Sequence, residues 1–158
     1  MSRTGIGYDS HRFVPGRPLI LGGQRIPHPS GLAGHSDADA VAHAVTDAVL
    51  GAAAAGSIGA LFPDTDARWK DADSMALLRT AVALVAERGF RVIQADVTVI
   101  AELPKVAPHA AAIAAALEAA LGSGAGSVGV KGKTNEGMGF IGRGEGLAVI
   151  AVATLEAR

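Results

Sequence analysis

Asp9 and His11 stand two residues apart in Arg3-Thr4-Gly5-Ile6-Gly7-Tyr8-Asp9-Ser10-His11-Arg12-Phe13, and His43 closes a second polar cluster, Gly34-His35-Ser36-Asp37-Ala38-Asp39-Ala40-Val41-Ala42-His43. Side chains along a strand alternate faces, so Asp9 and His11 share one face while Ile6 and Tyr8 share the other. Gly5 and Gly7 leave room on the Asp9 face. One carboxylate and two imidazoles are the usual protein share of a catalytic zinc centre, with the fourth position open to a reacting oxygen. A D-x-H pair alone also fits an ordinary exposed strand face, and a single helical histidine also fits a hydrogen-bonded core position. The three residues together sharpen the metal reading, although spacing alone does not bring them into contact.

Ser36 followed by Asp39 fits an N-cap with its reciprocal acid, opening an alanine-rich helix over about Asp37 to Ala55. His43 then lies about two turns in, with Asp39 and Asp47 one turn to either side. Either acid can hold the second ring nitrogen and fix the tautomer that a metal-bound imidazole needs.

A second chemistry-bearing stretch is Lys131-Gly132-Lys133-Thr134-Asn135-Glu136-Gly137 at the end of a strand. Lys133 can neutralise a phosphate, Thr134 can donate to a phosphate oxygen, and Glu136 can hold a hard divalent cation. The same residues also fit a solvated strand end. In Phe140-Ile141-Gly142-Arg143-Gly144-Glu145-Gly146, glycines around an Arg and a Glu suggest backbone packed close to a ligand or a symmetry axis. Ser57 to Asp66 has turn chemistry, the setting in which ligand contacts concentrate.

These groups are carried by a first strand predicted over 3–13, a hairpin of Leu19–Leu21 and Gln24–Ile26, and a loop from Pro27 to Gly34. A second helix is predicted over Ala72 to Arg88, with Met75, Leu78, Val82 and Val85 as its apolar stripe and Gly89 as its stop. A strand follows over 90–101, then a third helix from Lys105 or Val106 to Leu121, a strand over 127–134, a glycine-rich loop over 135–144 and a last strand over 146–155. This order predicts a two-layer α/β sandwich: a mixed four-stranded sheet with helices on one face, plus the small hairpin. The last strand, Leu147-Ala148-Val149-Ile150-Ala151-Val152-Ala153, is apolar throughout and asks for burial on both faces. Helices cover only one, so neighbouring subunits are expected on the other.

With 158 residues, the whole chain is read as a single catalytic domain. A net charge of −1 argues against a nucleic-acid partner, and the absence of cysteine excludes disulfides and thiolate ligands. No apolar stretch is long enough to span a bilayer, so no membrane partner and a cytoplasmic location are expected. Alanine is the commonest residue; each buried alanine contributes little area, which again favours oligomerisation.

Five motifs now stand in order: D-S-H, G-H-S-D-A-D-A-V-A-H, F-P-D-T-D, A-x-x-P-K at Ala101 to Lys105, and G-F-I-G-R-G-E-G. Together they resemble the 2-C-methyl-D-erythritol 2,4-cyclodiphosphate synthase family over nearly the whole chain. The resemblance implies intramolecular phosphoryl transfer in non-mevalonate isoprenoid biosynthesis. The 2-phosphate of 4-diphosphocytidyl-2-C-methyl-D-erythritol 2-phosphate attacks the β-phosphorus and CMP leaves. It further implies zinc on Asp9, His11 and His43, and magnesium or manganese on Glu136. His35 and Thr134 are implied as catalytic transition-state stabilisers. Substrate contacts are implied at Asp9, Ser10, His11, His35 and Ser36, and in a ribose-side turn of Ser57, Ile58 and Gly59. They continue in an erythritol loop of Phe62, Pro63, Asp64, Thr65 and Asp66, and in a cytosine pocket of Ala101, Glu102, Leu103, Pro104, Lys105, Val106 and Ala107. Lys133, Thr134, Asn135 and Glu136 complete the phosphate contacts. Homotrimers with sites between subunits are implied, with Phe140 and Arg143 lining a central cavity for an isoprenoid diphosphate. Two positions depart from the family pattern: Ser57 stands where an Asp contacting the ribose is usual, and Lys133 and Asn135 stand in a run often rich in Thr. A zinc phosphohydrolase and a binding trimer without turnover are the competing readings.

Overall fold

The computed structural model describes residues 1–158. Seven strands and five helices follow in the order β1 (Ser2–Pro15), β2 (Leu19–Leu21), β3 (Gln24–Ile26), β4 (Ser30–Leu32), α1 (Ala40–Ala52), α2 (Ile58–Leu61), α3 (Ser74–Glu87), β5 (Phe90–Ile100), α4 (Ala110–Leu121), β6 (Val128–Lys133), α5 (Gly139–Gly142) and β7 (Gly146–Ala157). The main sheet has the order β4-β1-β7-β5-β6 and is antiparallel except for the parallel β5–β6 pair, while β2 and β3 pair separately as the hairpin.

The sheet therefore has five strands, not the predicted four. The extra one is β4, cut from the predicted 27–34 loop, where Leu32 pairs with Phe13 and Ser30 with Pro15. Three residues are too few to show an alternating pattern. Two other predicted loops each contain one helical turn, α2 and α5. The third helix begins later than predicted, because Pro108 sits in a 3₁₀ turn over Ala107–His109 ahead of α4.

Helix α1 also begins later, at Ala40, and its cap is Asp39 rather than Ser36. The Asp39 carboxylate accepts from the Ala42 backbone N–H at 3.0 Å, and from those of Gly22 and Gly23 at 2.8 and 2.7 Å. One buried side chain thus caps the helix and docks the hairpin turn. Burial pushes its carboxyl up to about 6, against the pull of these three donors.

The core lies between the sheet and α1, α3 and α4, and its apolar residues form one contiguous cluster. On β7, Leu147, Val149, Ala151, Ala153 and Leu155 are fully buried toward the helices. The opposite face of the same strand is only partly covered. Ile150 is 37% exposed, beside Tyr8 at 56% and Ile6 at 69% on β1. The second buried face that the last strand asks for is thus not supplied within the chain.

Helix α1 lies directly on β1. A Cβ added at Gly7 would overlap the carbonyl oxygen of Ala44, and one at Gly5 that of Ala48. The two glycines are needed for close approach of two backbones, and α1 fills the room they leave. Gly7→Ala is expected to lower stability by about 1–3 kcal/mol through overpacking, read as a lower Tm in thermal unfolding. An unchanged Tm would mean that α1 moves off β1 without cost.

Candidate metal centre and ligand pockets

Because α1 rests on β1 at Gly7 and Ala44, the next side chain, His43, reaches over the strand to Asp9 and His11. His11 Nε2 lies 2.7 Å from Asp9 Oδ2, His43 Nδ1 lies 3.1 Å from the same oxygen, and the two ring nitrogens are 3.3 Å apart. Asp9, His11 and His43 form the one group of three or more His, Asp or Glu side chains in the chain with converging ligand atoms. This is the juxtaposition that spacing alone did not establish. All three residues are half-buried, so the centre is shielded yet reachable.

Burial pushes the Asp9 carboxyl up, but hydrogen bonds and charge from His11 and His43 outweigh it and hold the group below the usual carboxylate value. Burial likewise pulls His11 down, and the hydrogen bond and charge of Asp9 more than reverse this, leaving it above its usual value. The three inward atoms thus form a cation-seeking site, which a proton or a metal can satisfy.

The supports of the two histidines come from outside their own elements. His11 Nδ1 donates to the Ala33 carbonyl at 2.6 Å. His43 Nε2 faces Ser74 Oγ at 2.8 Å and Ser36 Oγ at 3.1 Å. Neither helical neighbour of His43 holds its ring, contrary to the expectation from helix spacing. Asp39 is committed to its cap, and Asp47 accepts from the Ile58 backbone N–H at 2.7 Å, tying α2 to α1. Asp37 stands within the second motif and Ser74 in none, and no sequence spacing links Ser74 to His43.

Beside the triad opens a cavity of about 380 Å³, lined by His11, His35, Ser36 and His43 on one wall and Ile58, Gly59, Phe62, Pro63 and Asp64 on another. Trp69 and Leu77 also line it and were not anticipated; Trp69 meets Phe62 edge-on at 5.0 Å between ring centres. His35 Nε2 donates to the Asp66 carbonyl at 3.2 Å. The Asp66 side chain faces Arg68, whose hydrogen bonds hold that carboxyl below its usual value. Thr65 is exposed. Ser57 is also exposed, and its hydroxyl accepts from the Ala60 backbone N–H at 3.3 Å as the cap of α2.

The remaining expected residues gather elsewhere. A second cavity of about 170 Å³ is lined by Ala101, Pro104, Lys105, Val106 and Ala107 on one side and Gly132, Lys133 and Thr134 on the other. Glu102 accepts from the Gly137 backbone N–H at 2.8 Å and so joins these two loops, while Asn135 donates to the Met138 carbonyl at 2.8 Å. Leu103, at 61% exposure, and Glu136 project outward. Ser10 and Phe140 meet in a third cavity of about 150 Å³ with Arg12 and Glu145, and Arg143 lies 3.4 Å from the Glu145 carboxylate. A cleft of about 670 Å³ at the opposite end of the sheet, by Phe90 and Ala157, brings together no such chemistry.

Sheet register fixes how far apart the first two cavities lie. Asp9 pairs with Val149, Val149 with Val99, and Val99 with Gly132. Three strand spacings, about 14 Å, therefore separate Asp9 from Gly132 within one chain. Thr134 and Glu136 are at the same end of the sheet as the triad but not beside it.

A family model described as the YgbB family matches residues 2–156. The 2-C-methyl-D-erythritol 2,4-cyclodiphosphate synthase of Dechloromonas aromatica (strain RCB) is 59% identical over 154 residues, spanning 98% of this chain and 96% of that protein. The synthase of the same name from Salinibacter ruber (strain DSM 13855 / M31) is 54% identical over 154 residues, spanning 98% of each. Among solved structures, a 2C-methyl-D-erythritol-2,4-cyclodiphosphate synthase in a CDP-bound form superposes with a TM-score of 0.89 at 42% identity, over 98% of this chain and 100% of that one. The bifunctional IspDF of Campylobacter jejuni superposes with a TM-score of 0.96 at 43% identity, over 100% of this chain and 43% of that one.

A metal entering the triad must displace the proton that Asp9 favours on His11. Metal affinity is expected to fall by about tenfold per pH unit as pH drops below the raised His11 value. In the metal-free protein the sign is opposite. The Asp9–His11 pair contributes stability in full below the usual imidazole value of 6.5 and loses it as pH rises through the raised folded value. Chelator-competition titrations across pH check the first statement, and metal-free unfolding curves check the second. Metal affinity independent of pH would exclude His11 as a ligand.

Proposed function

This chain belongs to the YgbB family, that of the 2-C-methyl-D-erythritol 2,4-cyclodiphosphate synthases, and from that premise we propose how its residues divide the work. The reaction converts 4-diphosphocytidyl-2-C-methyl-D-erythritol 2-phosphate to the 2,4-cyclodiphosphate with release of CMP. A 2-phosphate oxygen bonds to the β-phosphorus while the bond to the CMP oxygen breaks, which makes the enzyme a phosphorus–oxygen lyase. The convergence of Asp9, His11 and His43 beside a cavity with an apolar wall is the observation that carries the assignment of roles.

Zinc is the metal we place on the triad. Four donors at about 2.0 Å around a tetrahedral ion lie about 3.3 Å apart. The ring nitrogens already stand at 3.3 Å, and the two edges at Asp9, 2.7 and 3.1 Å, need only open slightly. When bound, zinc supplies a Lewis-acid contact to a phosphate oxygen. Glu136 offers one unburied carboxylate, the kind of single protein ligand with which magnesium or manganese is held jointly with substrate phosphates.

The chain's own groups do the rest by placement and charge. The His35 imidazole and Thr134 hydroxyl donate to phosphate oxygens as charge builds on them, and the Lys133 ammonium offsets that charge. Ser10 and Ser36 add hydroxyl donors, and Phe62 to Asp66 hold the erythritol so that nucleophile and phosphorus stay in line. The loop from Ala101 to Ala107, with Lys105, takes the cytosine; Ser57, Ile58 and Gly59 face the ribose; Asn135 steadies the turn that carries Glu136. We read the chain as one catalytic domain working in the cytoplasm; no helix is long and apolar enough to cross a membrane.

The two cavities work together in a homotrimer. The exposed Ile6, Tyr8 and Ile150 on the uncovered sheet face supply an apolar contact surface. The separation of about 14 Å between triad and Thr134 pocket is removed if each site takes its two halves from adjacent copies. Phe140 and Arg143 then line the shared axis, where an isoprenoid diphosphate fits an apolar wall with a cationic rim.

Purified protein with the cytidyl substrate should yield the cyclic diphosphate and CMP, and His43→Ala should lose zinc and at least about a hundredfold in turnover while remaining folded. Release of linear phosphate by the wild type would overturn the reaction, and full zinc occupancy in the variant would overturn the ligand set. Light scattering at micromolar concentration should give three times the chain mass; an active monomer would sink the shared site.

A further inference from the structure

We propose that Ser74 and Asp37 are positioning residues for the metal centre, fixing which ring nitrogen of His43 carries its hydrogen and which is left free to meet the metal. This rests on the reading that Asp9, His11 and His43 hold zinc. Ser74 is the first residue of α3 and is fully buried. Its hydroxyl has one hydrogen to give and three partners within reach, Asp37 Oδ1, His43 Nε2 and, at 3.4 Å, Ser36 Oγ. A carboxylate only accepts, so the short Ser74–Asp37 contact must hold that hydrogen. At 2.8 Å from Nε2, the Ser74 oxygen can then only accept, and the hydrogen between them must belong to the imidazole. Ser36 Oγ, 3.1 Å from the same nitrogen, is a second acceptor for it.

Asp37 is itself fixed. Its Oδ2 accepts from the Ser74 backbone N–H at 3.1 Å, and its Oδ1 also accepts from the Asp39 backbone N–H at 3.1 Å. The carboxylate therefore cannot turn away and release the serine. With Nε2–H assigned, the Nδ1 lone pair of His43 points at Asp9 and His11. His11 is arranged in the opposite sense: its Nδ1–H is used on the Ala33 carbonyl, which frees Nε2. The two histidines thus present different nitrogens, each chosen by a partner on a different element. For His43 that partner is the start of α3, some thirty residues away in sequence.

Zinc-loaded wild type, Ser74→Ala, Asp37→Asn and Ser74→Thr are compared by chelator competition and by ¹⁵N NMR of the histidine side chains, with circular dichroism to confirm folding. Ser74→Ala and Asp37→Asn are expected to weaken zinc binding by about 10–100-fold, and Ser74→Thr, which keeps the hydroxyl, to restore most of it. The wild type should show a slowly exchanging His43 Nε2–H that is lost in Ser74→Ala, while the His11 Nδ1–H persists in both. Should Ser74→Ala fail to fold, Asp37→Asn carries the test. Wild-type affinity in the folded variants, or a His43 Nδ1–H in the wild type, would overturn the inference. A wild type that binds no zinc would instead overturn the metal reading, and the nitrogen assignment would then be decided in the metal-free protein by the same spectra.

Discussion

Helix α1 rests on β1 backbone against backbone, at Gly5 and Gly7 on the strand and Ala44 and Ala48 on the helix. Any side chain at those glycines would hold the helix away from the sheet. His43 precedes Ala44, and Asp9 and His11 continue the strand face that carries the glycines. The depth of this contact therefore sets the distances within the triad. The buried alanines of α1 do the same work from the helix side, since larger residues would lift the axis. Asp39 adds a second constraint by capping α1 and gripping the hairpin turn with the same carboxylate. Together they fix both the height of the helix above the sheet and its starting point.

Around this contact the polar groups are arranged with their hydrogens outward and their lone pairs inward. The Ala33 carbonyl holds one side of His11, and hydroxyls hold one side of His43. Arg17 donates to the carbonyls of Gly34 and Ser36 at 2.8 and 2.6 Å, so the loop that carries His35 and Ser36 is tied down as well. Half-buried acceptors converging without donors of their own are costly in isolation. A proton or a cation held between them would remove that cost, which would couple cation binding to local order. The apolar wall formed by Phe62, Trp69 and Leu77 keeps the neighbouring cavity from being wholly aqueous, which strengthens each charge interaction inside it.

The sheet divides the remaining functions. Its helix-covered face supplies the core and the triad. Its open face leaves Ile6, Tyr8 and Ile150 in solvent, and the last strand needs cover there to bury both of its sides. The end of the sheet that carries the triad also carries the Thr134 pocket, three strands away. A single chain thus holds the triad and the Thr134 pocket apart, and the proposed assembly through the open face would answer both features at once.

Much of this is legible in the residues themselves. Alternation along residues 3–13 placed Asp9 and His11 together, the hairpin of Leu19–Leu21 and Gln24–Ile26 was readable from its paired glycines, and β5, β6, β7 and α3 were readable from branched or apolar periodicity. The family was readable because five motifs stood in order. What a local pattern could not convey was the short or shared geometry: β4, whose three residues pair only because β1 is long enough to receive them; the cap of α1, which fell to Asp39, a carboxylate that also holds the hairpin turn; and the holders of His43, which came from Ser74 and Ser36 rather than from the acids one helical turn away. Residue chemistry and period fix which groups exist and which face each occupies. Which of them meet is a matter of packing, because contacts between residues 9, 43 and 74 depend on how closely separate elements approach, and that depth is set by glycines and alanines that carry no chemistry of their own.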